Sequence, residues 1–309
     1  MAHGATAVSL VPALARKAAH VTMLQRSPGY LFSMPRINPV LEPVRKRLPG
    51  KLSYTFVRTV ALTFEKILWM FARGAPAGMK RMVRQQNIKE LPPGYPVERD
   101  FTPRYNPWDQ RMCLVADGDV FTAIRDGSLE VVTDHIDHID ATGVALTSGR
   151  HLDADVIVKA TGLNLLALGG VRISVDGTEV KPQERFSYKA HMLEDVPNLI
   201  WCIGYTNASW TLRADMTARS TARLIEYMKA HGYTHAYPHP PAGPMPEKPT
   251  WDLKSGYVLR NSHALPRSAT KRPWVVRQDF FADAIDHRFM DKVDEDMVFG
   301  RAGQRALAG

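Results

Sequence analysis

Cysteine is nearly absent: the 309 residues hold two, Cys113 and Cys202. At most one disulfide follows, too few for a stapled secreted scaffold, and such usage fits a reducing, cytoplasmic compartment. Long apolar runs are missing too. No stretch approaches the ~18–20 uninterrupted apolar residues of a membrane-spanning helix, and no basic segment followed by an apolar one opens the chain. Integral-membrane and secretory readings are therefore not expected. Nucleophile-elbow, P-loop and zinc patterns are absent as well. His231, His235 and His239 recur every four residues, but Pro238 and Pro240 spoil a shared helical face, so no metal site is expected.

Acidic residues are scarce in one segment only. Residues 36–89 hold 12 Lys or Arg against 2 Asp or Glu, whereas the rest of the chain has 28 basic and 29 acidic residues. The net charge of +9 thus sits in one place, and a nucleic-acid partner is not expected. What remains is ordinary globular composition, 45% apolar and 23% charged, in a chain long enough for two domains.

Gly4 followed by apolar residues Val8, Leu10, Val11 and Leu14 reads as a glycine turn entering a short helix within Ala5 to Ala19. His20 to Gln25 is β-rich and apolar and predicts a buried strand. Turn, helix and strand make two-thirds of a βαβ unit. The strand that precedes a dinucleotide turn has no counterpart ahead of Gly4. In a doubly wound sheet that strand is central, so the chain reads as one cut at a motif.

Phe56, Val57, Val60, Phe64, Ile67, Leu68 and Phe71 carry helical spacing with a wide apolar stripe, and a second short helix is expected around Met79 to Gln86. Together these form a basic helical insertion at about 36–89. It reads as a solvated positive face, as an attractor of an anionic nucleotide, or as a peripheral contact with an anionic membrane surface, since Phe64, Trp69 and Phe71 accompany the basic residues. Strands are expected at 113–115, 129–133, 144–147, 171–175 and 199–203, and a buried strand at Val156 to Val158 ending in the tight turn Ala160-Thr161-Gly162. A helix is expected from Trp210 to Lys229, then a stiff Pro-rich connector at 234–250.

A glycine turn at a helix start is either a plain turn or an anion site, because free N–H groups and the helix dipole point outward there. Arg26, at the end of the second strand, is either a common exposed arginine or the base that suits the extra phosphate of NADP. Arg111 is either a structural ion-pair partner or a fixed positive charge for a developing anion. Ala160, Thr161 and Gly162 form a turn with room for close backbone approach, and Asn207, Ser209 and Trp210 form a polar entry to a helix.

The stretches GATAVSLVPALARKAAHVTMLQRSP, FTPRYNPWDQRMCLV, DADVIVKATGLNLLALGG and GYTNASWTLRADM, with the later SGYVLR and TKRPWVVRQ, resemble flavin-containing monooxygenases of the Baeyer-Villiger type. Within them the chain is most similar to the mycobacterial ethionamide-activating group. The resemblance implies an α/β flavoprotein fold with two Rossmann-like dinucleotide-binding domains. Residues 1–159 then correspond to an NADP-binding domain without its first strand, 160–233 to the returning part of the FAD-binding domain, and 251–309 to a C-terminal tail. It implies NADP and FAD as cofactors, the FAD site being incomplete in this chain, and O2 with a ketone or sulfur-containing compound as substrates. Gly4, Ala5, Thr6 and Ala7 resemble the pyrophosphate turn, and Gln25, Arg26 and Ser27 the adenosine-phosphate site. Arg111 resembles the arginine beside the nicotinamide, Ala160 to Gly162 the crossing between domains, and Asn207, Ser209 and Trp210 the loop facing the flavin. Alone, the chain is expected neither to hold FAD nor to oxygenate.

Overall fold

The structure, a computed structural model, describes residues 4–110, 112–289 and 295–303. Backbone contacts divide it into two compact units, Met1–Leu163 and Asn164–Gly309.

The first unit opens with helix α1 (Ala5–Ala15), whose Ala7, Val8, Val11 and Pro12 are buried. It leads into strand β1 (Val21–Gln25) and then β2 (Leu31–Met34). Three helices follow, α2 (Leu41–Arg47), α3 (Gly50–Gly74) and α4 (Pro76–Glu90), and then the single turn α5 (Val97–Asp100). Strand β3 (Cys113–Ala116), helix α6 (Asp119–Arg125) and strand β4 (Leu129–Thr133) complete the main core. β1 pairs in parallel with β4, Val21 opposite Leu129, and β2 pairs in parallel with β3, Leu31 opposite Cys113. Among the described residues no ladder joins these two pairs. One core nevertheless serves both, with Val8, Val11, Met23, Leu31, Val115, Phe121 and Val131 packed together beneath α1 and α6. A three-stranded antiparallel meander, β5 (Ile136–Ile139), β6 (Gly143–Leu146) and β7 (His151–Asp153), closes the unit.

The second unit is built differently. Its strands are short: the hairpin β8 (Ile173–Val175) with β9 (Thr178–Val180), then β10 (Ser187–Tyr188) with β11 (Met192–Leu193). Helix α7 (Trp210–His231) is followed by β12 (His235–Pro238), β13 (Glu247–Lys248), the turn α8 (Gly256–Leu259), β14 (Ser268–Ala269), α9 (Phe280–Phe289) and β15 (Met297–Gly300). α7 ends on Gly232 at φ +71°, a left-handed cap that suits glycine.

Three expectations are corrected. Val156, Ile157 and Val158 do not form a buried strand: they are 77%, 49% and 49% exposed and make no ladder, so both faces of an apolar segment meet water. The segment 199–203 is not a strand either; Trp201 N–H donates to His191 C=O at 2.9 Å, an isolated bond rather than a ladder. The Pro-rich stretch begins as structure, since β12 pairs with β15 and buries Ala236 and Tyr237. The residues beyond it supply core side chains, Trp274 and Val276 being 2% and 1% exposed.

Candidate functional site

The two helix starts that the sequence singles out share a feature, which α3 and α4 also show. Gly4, before α1, has extended backbone (φ −78°, ψ 168°) and offers no capping side chain, and the first turn holds no acidic residue. Ser209, before α7, also makes no capping hydrogen bond, and that first turn too lacks a carboxylate. The leading N–H groups of a helix have no intrahelical acceptor, and the dipole adds partial positive charge there. Both starts are therefore free to receive an anion or a ring edge rather than being satisfied from within.

At the first start the side chains are small. A Cβ built on Gly4 meets nothing within 4 Å. Ala5 and Thr6 are exposed, and Ala7 is buried against the core. Arg26, which follows β1 directly, is exposed, and Ser27 is half-buried. Gln25 takes another role: it is 1% exposed, and its Nε2 donates to Asp100 C=O at 2.7 Å and to Thr133 Oγ1 at 2.9 Å. Thr133 Oγ1 in turn donates to Asp100 Oδ1 at 2.7 Å. Gln25 points into the unit because strand residues alternate faces, and this polar knot ties β1 to β4 and α5 while Arg26 turns outward. Arg111 lies outside the described residues.

At the second start the loop Gly204–Trp210 is held from behind. Thr206 donates from both N–H and Oγ1 to Gln278 Oε1, at 2.8 and 3.1 Å, and Asn207 Nδ2 donates to Gln278 C=O at 2.8 Å. Ser209 Oγ bonds Thr211 Oγ1 at 2.8 Å, and Trp210 is 48% exposed with its ring edge-on to Trp251. A Cβ on Gly204 falls 2.1 Å from Trp210 Cγ, so only glycine lets the loop backbone lie under the indole.

Beneath this loop lies a polar cluster that sequence reading missed. Arg213, 2% exposed, donates through Nη2 to Asp283 Oδ2 at 2.7 Å and to Arg277 C=O, and stacks 3.9 Å from the Tyr205 ring centre. Tyr205 OH donates to the same Asp283 Oδ2 at 2.7 Å, and burial pushes its phenol well above the usual range. One signal was available: Leu212, Met216 and Thr217 place the buried stripe of α7, and Arg213 falls inside it. A charge in such a stripe requires a buried partner.

Ala160, Thr161 and Gly162 lie outside any helix, strand or turn near the end of the first unit, where Ala160 is half-buried, Thr161 and Gly162 are exposed, and Gly162 sits at φ +98°. The expected tight turn is thus not formed, and the left-handed residue is a glycine.

No protein-family model matches the chain. In sequence it is 43% identical to the FAD-containing monooxygenase EthA of Mycolicibacterium smegmatis, over 96% of this chain and 60% of that protein. It is 42% identical to the putative FAD-containing monooxygenase MymA of Mycobacterium tuberculosis, over 91% of this chain and 58% of that one. The chain thus spans about three-fifths of these relatives' length. In structure, an oxidised steroid monooxygenase bound to NADP superposes with a TM-score of 0.65 at 15% identity, covering 97% of this chain and 66% of the other. OTEMO in complex with FAD and NADP gives 0.59 at 16% identity, covering 77% and 52%. These likenesses show an α/β fold of the two-nucleotide-domain monooxygenase kind.

Proposed function

We propose, for a chain that by sequence is a partial-length relative of the FAD-containing monooxygenases, that it carries the NADP-binding turn and the returning part of the FAD domain of an NADPH-dependent monooxygenase of the Baeyer-Villiger type. One observation supports this most: the uncapped start of α1, with open space at Gly4, opens a unit whose adjacent strand ends in an exposed Arg26. Pyrophosphate fits the free N–H groups of Ala5, Thr6 and Ala7, where no carboxylate competes. The Arg26 guanidinium and Ser27 hydroxyl then receive the adenosine phosphate, a group NADPH has and NADH lacks. Gln25 acts at one remove, fixing the end of β1 through Asp100 and Thr133.

The start of α7 suits the ring side of FAD. There Asn207 is anchored to Gln278, and the loop presents Ser209 and Trp210 outward. NADPH and FAD, when bound, would supply hydride reduction and O2 activation, one oxygen atom passing to a ketone or a sulfur-containing compound and the other leaving as water. Arg111 is assigned the fixed positive charge that stabilises developing negative charge beside the nicotinamide, and Ala160 to Gly162 the passage between nucleotide domains.

The NADP assignment is tested by titrating the chain with NADPH and NADH. Arg26→Ala is expected to weaken NADPH by about 1.5–3 kcal/mol, roughly 10- to 150-fold, and to leave NADH unchanged. Equal loss for both nucleotides overturns the assignment.

A further inference from the structure

The apolar stripe of α3 is not buried. Leu52, Phe56, Val60, Phe64, Ile67 and Phe71 are 65%, 47%, 36%, 49%, 59% and 41% exposed. Their spacing of four, four, four, three and four residues keeps them on one side of the helix, along roughly 28 Å of its axis. The helix is anchored by other positions. Ala72 is 1% exposed and Leu68 packs with it against Met79 and Val83 of α4, while Ser53 Oγ donates to Arg45 C=O at 3.0 Å and ties the first turn to α2. An apolar face this long, left open on a helix with a defined anchor, marks a docking surface.

Charge identifies the occupant. The stripe lies in the segment with 12 basic and 2 acidic residues, and Arg47 and Lys51 stand exposed at its N-terminal end. Arg58 Nη1 donates to Tyr54 OH at 2.6 Å, and Lys66 Nζ lies 5.0 Å over the Trp69 ring. An apolar stripe of Leu, Val, Ile and Phe on a helix that also carries basic and aromatic side chains matches the acyl–headgroup boundary of a bilayer. A second copy docking through the same face brings one strongly basic segment against another, which like-charge repulsion opposes. No helix among the described residues is long and apolar enough to cross a membrane, so the contact is peripheral.

We infer that α3, with the basic end of α2, lies in the plane of an anionic phospholipid surface, its Phe56, Phe64 and Ile67 inserted among the acyl chains and its Lys and Arg side chains on the headgroups. The inference is independent of the cofactor assignment. The test is flotation of the 309-residue chain with vesicles of phosphatidylcholine alone and of phosphatidylcholine mixed with phosphatidylglycerol. The chain is expected to float with the mixed vesicles, to remain below with the neutral ones, and to float less as salt is raised. Phe64→Glu with Ile67→Glu, and separately Arg47→Glu with Lys51→Glu, are each expected to lower partitioning about tenfold or more while the far-UV circular dichroism melt is retained. Wild-type chain that binds both vesicles equally, or neither, overturns the inference and requires no variant. So do glutamate variants that float as well as wild type, or a stable dimer in solution that protects these residues.

Discussion

The two units of this chain reach stability by different routes. In the first, regular elements bury an aliphatic and aromatic core, and the helix start rides on it: α1 is held by Val8 and Val11, leaving its start open. In the second, strands of two to four residues contribute little ladder, and the loop Tyr205–Trp210 is gripped by polar side chains far along the chain, Gln278 and Asp283. A hydrophobic support tolerates conservative change of volume, whereas a buried ion-pair support fails when one partner is lost. The two helix starts look alike, yet they should respond to different perturbations.

The largest expected effect lies in the second unit. Asp283→Ala leaves Arg213, whose side chain is 3% exposed, without its counter-ion and removes the acceptor of Tyr205 OH. A loss of about 3–5 kcal/mol is expected in urea unfolding followed by tryptophan fluorescence. A loss below about 1 kcal/mol breaks the distinction between the units. In the first unit, Leu129→Ala cuts a residue that is 3% exposed on β4, and about 2–5 kcal/mol is expected from the lost burial and the residual cavity. The larger half of that range is expected if the core beneath α1 cannot collapse, and NADPH binding should fall with it.

Acid sharpens the comparison further. His191, buried and donating from Nδ1 to Lys189 C=O, has its imidazole pushed down to about 4, first by burial, with the nearby charges of His287, Lys189 and Arg213 acting the same way. An unfolded histidine titrates near 6.5, so between about pH 6.5 and 4 the unfolded chain binds the additional proton. The stabilising contribution is whole above pH 6.5 and is lost as pH falls toward 4, by up to about 3 kcal/mol. Urea midpoints at pH 7.5 and 5 should therefore fall for the second unit, and the drop should shrink in His191→Gln. An acid response identical in that variant removes His191 from the account.

Several elements were legible without coordinates. Local rules suffice for α1, β1 and α7: periodic apolar residues, a glycine at each required break, and β-rich runs of four or five residues. In the 36–89 insertion α3 follows likewise from the apolar spacing of 56–71 and α4 is expected in part, at about 79–86, whereas α2 is not expected. Spacing shows that a helix has an apolar side; it does not show what covers that side. The stripe of α3 reads like a core stripe, and the fold leaves it open because α4 packs on Leu68 and Ala72 instead. Val156 to Val158 reads like a buried strand for the same reason, yet burial needs a ladder partner and facing apolar groups.

The positions proposed to face cofactors divide along the same line. By itself the sequence determined the glycine turn before α1, the strand that ends at Gln25 and Arg26, and the polar entry to α7, because each is set within a few residues by backbone geometry and side-chain period. Only the tertiary structure decided that Gln25 turns inward to Asp100 and Thr133, at separations of 75 and 108 residues, and that Asp283 lies under Tyr205 and Arg213, at separations of 78 and 70. Such pairings carry no local signature. They arise because a buried donor or charge must find its partner wherever the folded chain brings one.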